Sequence, residues 1–155
     1  MELLEQIAIC KKQEETCQFT TFDNDTAWEL GCILVNRAKK DSLGILIDIS
    51  FNGHTLFKYC AKGATGYNDQ WVLRKQNTVH LQEMSSLRFG YEMAQAGKMD
   101  TLPMYLDPYD YATCGGGFPI IVKGTGVVGC ITVSGLKDTE DHQVIVDALM
   151  EYFGK

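Results

Sequence analysis

The chain has 155 residues, 45 % of them hydrophobic and 22 % charged, with 14 Lys and Arg against 20 Asp and Glu for a formal charge of −6. That length can bury one core without disulfide or metal staples, and the composition excludes a disordered chain. The acidic balance argues against a nucleic-acid partner, because phosphate binding draws on excess Lys and Arg.

No stretch is long and apolar enough to span a bilayer, so no membrane partner is expected. Residues 1–16 carry Glu2, Glu5, Lys11, Lys12, Glu14 and Glu15, which breaks up any secretory signal. A cytoplasmic protein forming one domain over residues 1–155 is the expectation.

Residues 2–15 read as a helix, with Leu3, Leu4, Ile7 and Cys10 at helical spacing among Glu and Lys. Phe19 and Phe22 flank an extended, Thr-rich stretch. The run Asp23-Asn-Asp-Thr26 is a group of N-cap residues, and Thr26 with Glu29 has capping-box spacing. The helix that follows places Ala27, Trp28, Gly31, Leu34, Val35 and Ala38 on one stripe and ends at Lys39-Lys40, where positive charge suits the helix dipole.

In residues 43–61, Asn52-Gly53 between two alternating runs marks a hairpin, because a type I′ turn needs positive φ at both central positions. A two-residue turn pairs Phe51 with His54 and Ile49 with Leu56. Ile45, Ile47, Ile49, Leu56 and Cys60 then form a core face. Leu46, Asp48, Ser50, Thr55, Phe57 and Tyr59 form a mixed face suited to a ligand wall or a subunit interface.

After a loop at 63–66, Asn68 or Asp69 caps a long helix running to about Ala96, with Leu73, Leu81, Met84, Leu87, Tyr91 and Ala94 as its stripe. Gly97, Asp100 and Pro103 end it, and residues 106–112 form a loop with a short turn. Residues 118–123 and 127–134 are β-branched strands joined through Gly124-Thr-Gly126. Asp138 or Thr139 caps a last helix that buries Ile145, Leu149 and Tyr152. Two hairpins separated by a helix predict an α+β fold of the profilin-like or PAS/GAF-like type, with a mainly antiparallel sheet.

The six Cys show no C-x-x-C spacing and read as reduced thiols. His54, His80 and His142 show no metal-ligand spacing, so no metal is expected. Three constellations could carry chemistry. Asn68-Asp-Gln-Trp71 with Arg74 and Lys75 puts cations beside an aromatic ring near a helix start, which suits an anionic or flat ligand. Cys114 opens the run Gly115, Gly116, Gly117 and Phe118, whose glycines allow backbone amides to approach a ligand. Ser134-Gly135 followed by Glu140-Asp-His142 puts the free amides of a strand-to-helix junction and an acid/base pair at one spot.

Together these motifs resemble the HbpS/GlcG-like superfamily, and within it small uncharacterised proteins labelled "heme-degrading domain". The matching segments are residues 22–31, Ile47-Asp-Ile49, Asn68-Asp-Gln-Trp71 with Arg74-Lys75, residues 115–120, Val127-Val-Gly129 through Leu136, and Glu140-Asp-His142 with the helix after it. The resemblance implies a profilin-like fold and ring-like or higher homo-oligomers, and it makes haem a possible cofactor.

The expected function is a homo-oligomeric small-molecule binder. Its pocket would lie between the long helix, the glycine loop and the last helix start, formed by Asn68, Trp71, Arg74, Lys75, Gly115, Gly116, Gly117, Phe118 and His142. The alternatives are an enzyme acting on haem or a small organic acid, with His142, Glu140 and Cys114 as catalytic candidates, and an interaction scaffold using Phe57, Tyr59, Tyr105, Tyr109 and Tyr111.

Overall fold

A computed structural model describes residues 1–98 and 106–155, so Asp100, Pro103 and Tyr105 lie outside the described residues. The elements in chain order are α1 (Leu3–Thr16), β1 (Gln18–Phe19), α2 (Asn24–Lys40), β2 (Leu46–Phe51), β3 (His54–Cys60), α3 (Gly66–Gln82), α4 (Ser86–Gln95), β4 (Gly117–Val122), β5 (Gly126–Ser134) and α5 (Asp138–Phe153). The fold is α+β as expected. One five-stranded sheet runs in the order β1-β4-β5-β2-β3, antiparallel except where β1 pairs parallel to β4. Among the described residues, no helix is long and apolar enough to cross a membrane.

The core lies on one face of the sheet. Ile47, Ile49, Phe118, Ile120, Ile131 and Val133 point there and meet Leu30 and Leu34 of α2 and Ile145 and Leu149 of α5. The period of two along each strand sends the intervening residues to the opposite face, where α3 packs. That face carries Asp48, Ser50, Cys130, Thr132 and Ser134, all buried.

Local structure departs from the sequence expectation at several points. The capping box of α2 is formed by Asp23 and Thr26, not Thr26 and Glu29: the Thr26 amide donates to Asp23 Oδ1 at 2.9 Å, and the Asp23 amide donates to Thr26 Oγ1 at 3.2 Å. Trp28 is 64 % exposed, because the buried stripe runs through Ala27, Leu30, Gly31, Leu34 and Ala38, and Trp28 falls at its edge against Phe57.

The β2–β3 hairpin keeps the Phe51–His54 pair, but a bulge makes Ile49 face Phe57 instead of Leu56. One extra residue reverses which side chains point inward. Phe57 and Tyr59 therefore join the core face under α2 and do not form a ligand wall. A Cβ on Gly31 would come within 2.5 Å of the Phe57 ring, so only glycine fits there.

The long helix is two helices. Glu83 adopts φ +53° at the end of α3, and Ser85 caps α4 by accepting the Arg88 amide at 3.3 Å. This turn leaves Leu73 and Leu81 exposed, whereas Leu87 is buried. At the other end, the N-cap is Thr65, paired with Asn68 in a capping box. The last helix is likewise capped one residue earlier, at Lys137.

Candidate functional site

The Thr65 cap starts α3 one turn earlier than the Asn68 or Asp69 start expected, and it fixes which way Asn68 points. Asn68 Oδ1 accepts the Thr65 amide at 3.0 Å, which turns its amide nitrogen toward Ser134 Oγ at 3.1 Å. Trp71 and Lys75 follow at helical spacing on the same side. They line a cleft of about 280 Å³ with Tyr67 and Asn68 from α3, Cys114 from the loop before β4, Ser134 to Leu136 at the end of β5, and Asp138 and Asp141 from α5.

Lys75 and Asp141 form an ion pair at 3.1 Å, each side chain only 3 % exposed. Lys75 Nζ also donates to the Val133 carbonyl at 2.9 Å, and Asp141 Oδ1 accepts the Leu136 amide at 2.9 Å. The pair thus ties α3 and α5 to the end of β5. Burial pushes the Asp141 carboxyl above its ordinary value, while the Lys75 charge and the Leu136 amide pull the other way. An ammonium has three donors and two are engaged, which leaves one for the cleft that Lys75 lines.

The glycine run packs directly against this pair. Gly116 has φ +117°, and a Cβ there would sit 2.4 Å from the Val133 carbonyl oxygen and 2.6 Å from Lys75 Nζ. Its carbonyl accepts the Val133 amide at 2.8 Å, and the Gly117 amide donates to Ser86 Oγ at 2.9 Å. Gly115 is packed against the Asp138 carbonyl. The run is buried scaffolding behind the cleft, because its neighbours leave no room for side chains.

Arg74 does not line the cleft. Its guanidinium carbon lies 4.0 Å from the centre of the Trp71 ring, and Nη2 donates to the Pro108 carbonyl at 2.6 Å. It braces the indole and the 107–112 segment. Phe118 is fully buried in the core. Glu140 is exposed, and its carboxylate accepts the Lys137 amide at 3.3 Å as part of the helix cap.

His142 lies one residue past Asp141 and so points to another side of α5. Its Nε2 meets Gln13 Oε1 of α1 at 2.7 Å, its ring sits 5.7 Å from that of Phe118, and it lines a separate groove. Burial drives its pKa down to about 4. Cys114 does reach the cleft, but burial pushes its thiol up from the ordinary value, against the thiolate a nucleophile needs. The three catalytic candidates therefore do not converge.

Ser134 and Asp141 complete the polar floor of the cleft, and both come from the junction of Ser134-Gly135 with Glu140-Asp-His142 that the sequence singles out. Asp141 was visible in the Glu140-Asp-His142 motif, but its partner lies 66 positions away and no local spacing encodes that pairing. Among the described residues, no group of three or more His, Cys, Asp or Glu converges as a metal site would require. All six Cys are unpaired, with Cys10, Cys17 and Cys130 buried.

A family model described as haem degrading protein HbpS-like matches residues 22–150. A UPF0303 protein of Pseudomonas entomophila is 44 % identical over 99 % of this chain and 86 % of its own length. A UPF0303 protein of Yersinia pseudotuberculosis is 34 % identical over 99 % and 90 %. Among solved structures, the Ybr137w protein superposes with a TM-score of 0.86 at 29 % identity, over 96 % of this chain and 87 % of that one. A structure described as a PduOC:heme complex shares the fold, with a TM-score of 0.68 at 16 % identity over 83 % of this chain and 91 % of that one.

Proposed function

The chain belongs to the HbpS-like family, and on that premise we propose that it binds a small, flat, anionic molecule in the cleft between α3 and the β5–α5 turn. The observation that carries this reading is the buried Lys75 ammonium. Asp141 and the Val133 carbonyl hold it in place, and it lines an open cleft next to the Trp71 indole. A ligand oxygen would take the remaining Lys75 donor and a flat body would lie against Trp71, with Asn68 and Ser134 offering further hydrogen bonds.

Haem is the ligand that the family description suggests, and of the axial donors His, Cys and Tyr the described residues of the cleft offer only the Cys114 thiol and the Tyr67 phenol, with no imidazole. Haem iron takes an axial donor such as imidazole or thiolate. His54 and His80 are exposed elsewhere, His142 lies in another groove, and Cys114 is held as a thiol. At about 280 Å³ the cleft is also at the small end for ligand pockets, which run from about 300 Å³ upward.

The reading includes self-association, supported by the exposed Trp28 and by β3, a sheet-edge strand with exposed residues. Sedimentation velocity tests it, and a monomer at micromolar concentration would refute it.

Titration calorimetry with benzoate, a flat carboxylate, tests the site. Benzoate should bind the wild-type protein, and Trp71→Ala and Asn68→Ala should each weaken it several-fold. An absence of binding, or affinity untouched by Trp71→Ala, overturns the proposal. Hemin should give no Soret shift that disappears when the three His are replaced.

A further inference from the structure

Two carboxylates of α5 belong to the α3 cleft, and only one of them has a partner. Asp138 and Asp141 are three residues apart, so they share a face of the helix, and both line the cleft. Asp141 is committed to Lys75 and to the Leu136 amide. Asp138 is half-buried and enters no ion pair among the described residues. Gly115 packs against its carbonyl, which fixes the first turn of α5 against the loop that carries Cys114.

The cleft therefore offers a ligand both signs of charge. Lys75, Asp138 and Asp141 are the charged residues among those that line it. Arg74 adds a positive charge behind Trp71, but the indole and the Pro108 carbonyl hold its guanidinium away from the lining. The Cys114 thiol, which lines the same cleft, is raised by burial, drawn down by the Lys75 charge and pushed up by that of Asp138. A simple carboxylate would satisfy the spare Lys75 donor and leave Asp138 facing a second negative charge, which Coulomb repulsion opposes. The Tyr67 and Trp71 rings, with centres 6.3 Å apart and planes at 78°, form a corner for a flat body.

We propose that the ligand of this cleft is an aromatic amino-carboxylate. Its carboxylate takes the spare Lys75 donor, its ring lies against Trp71, and its ammonium pairs with Asp138. This assignment rests on the anionic-ligand reading above and narrows it from any flat carboxylate to one that carries its own cation.

Four probes test it by calorimetry on the wild-type chain and on Asp138→Asn: benzoate, meta- and para-aminomethylbenzoate, and benzylamine. The two isomers set two separations of ammonium from carboxylate. At least one of them should bind the wild-type chain about three- to tenfold more tightly than benzoate, the worth of a partly exposed charged hydrogen bond. Asp138→Asn should abolish that advantage while benzoate binds as well as before or better, because a like charge has gone. A merely structural Asp138 would weaken all the probes alike.

The outcomes separate this assignment from the reading beneath it. The assignment alone falls if benzoate binds and neither isomer exceeds it, if the advantage survives Asp138→Asn, or if the variant weakens benzoate and the isomers equally. If benzoate does not bind, or if benzylamine matches the isomers, no carboxylate is held at Lys75 and the anionic-ligand reading falls as well.

Discussion

The two faces of the sheet are built on opposite principles. Toward α2 and α5, β5 presents Ile131 and Val133 to a wholly apolar core. Toward α3, the same strand presents Cys130, Thr132 and Ser134, and β2 adds Asp48 and Ser50. Asp48 accepts from Gln76 Nε2 at 2.9 Å, and burial raises its carboxyl above the ordinary value. Buried polar groups stabilise little in net and cost a good deal when unpaired, so the α3 face is not where this fold gains most of its stability. It instead fixes the directions of Lys75, Asn68 and Asp141 around a cleft. The contrast teaches that the apolar face holds the molecule together and the polar face pre-sets a site.

The largest effect should come from the polar face when a pair is halved. Lys75→Met leaves Asp141 buried without its counter-charge and should cost about 3–5 kcal/mol in urea unfolding. The double variant Lys75→Met with Asp141→Leu should recover most of that loss, because an apolar replacement of a whole buried pair is close to neutral. A double variant no more stable than the single would break the comparison, since the pair would then be holding the fold and not only the site.

On the apolar face, Ile131→Ala removes fully buried methyls between α2 and α5 and should cost about 2–5 kcal/mol, with no partner substitution able to restore it. Restoration by any second change on α3 would show that the two faces are not independent.

His142 sharpens the comparison through pH. Its pKa falls from an ordinary 6.5 to about 4 on folding. A depressed histidine contributes stability that is present above pH 6.5 and is lost as pH falls toward 4. At about 1.36 kcal/mol per unit this amounts to about 3 kcal/mol. Asp48 and Asp141 act in the opposite sense, because burial raises them and folding then favours proton uptake as pH falls. The difference between wild type and His142→Gln isolates the histidine. It should shrink over that window by about 3 kcal/mol, and an unchanged difference would show the ring to be solvated.

Much of the fold was legible because local patterns specify it. Examples are the Asn52-Gly53 turn, the strands on either side of Gly124-Thr-Gly126, and the Ile145 and Leu149 stripe. The β2–β3 bulge was not, because a two-residue turn is compatible with either register beyond it, and the choice is made by Phe57 seating against Gly31. The break at Glu83 was hidden for a similar reason, since the residue carries no glycine-like signal for its positive φ. In the site, Asn68, Trp71 and Lys75 could be read from helical spacing within one element. The Lys75–Asp141 pair could not, and neither could the diversion of His142 to another groove. Both depend on how α3 and α5 meet across β5, which no window of residues contains.

The smallest expected effect lies next to one of the largest. Thr132 follows Ile131 on β5 and points to the other face, where among the described residues its hydroxyl meets only Cys130 Sγ at 3.3 Å. Thr132→Val exchanges that hydroxyl for a methyl of similar size. The lost hydrogen bond is worth about 1 kcal/mol, and Cys130 keeps its own contact to the Ile131 carbonyl at 3.6 Å. Burying the extra methyl returns about 0.8 kcal/mol. The two nearly cancel, so the urea midpoint should move by less than about 0.5 kcal/mol in equivalent stability. A loss comparable to that of Ile131→Ala would mean that the polar layer under α3 is a connected network whose members depend on one another, and the division of labour between the two faces would have to be redrawn.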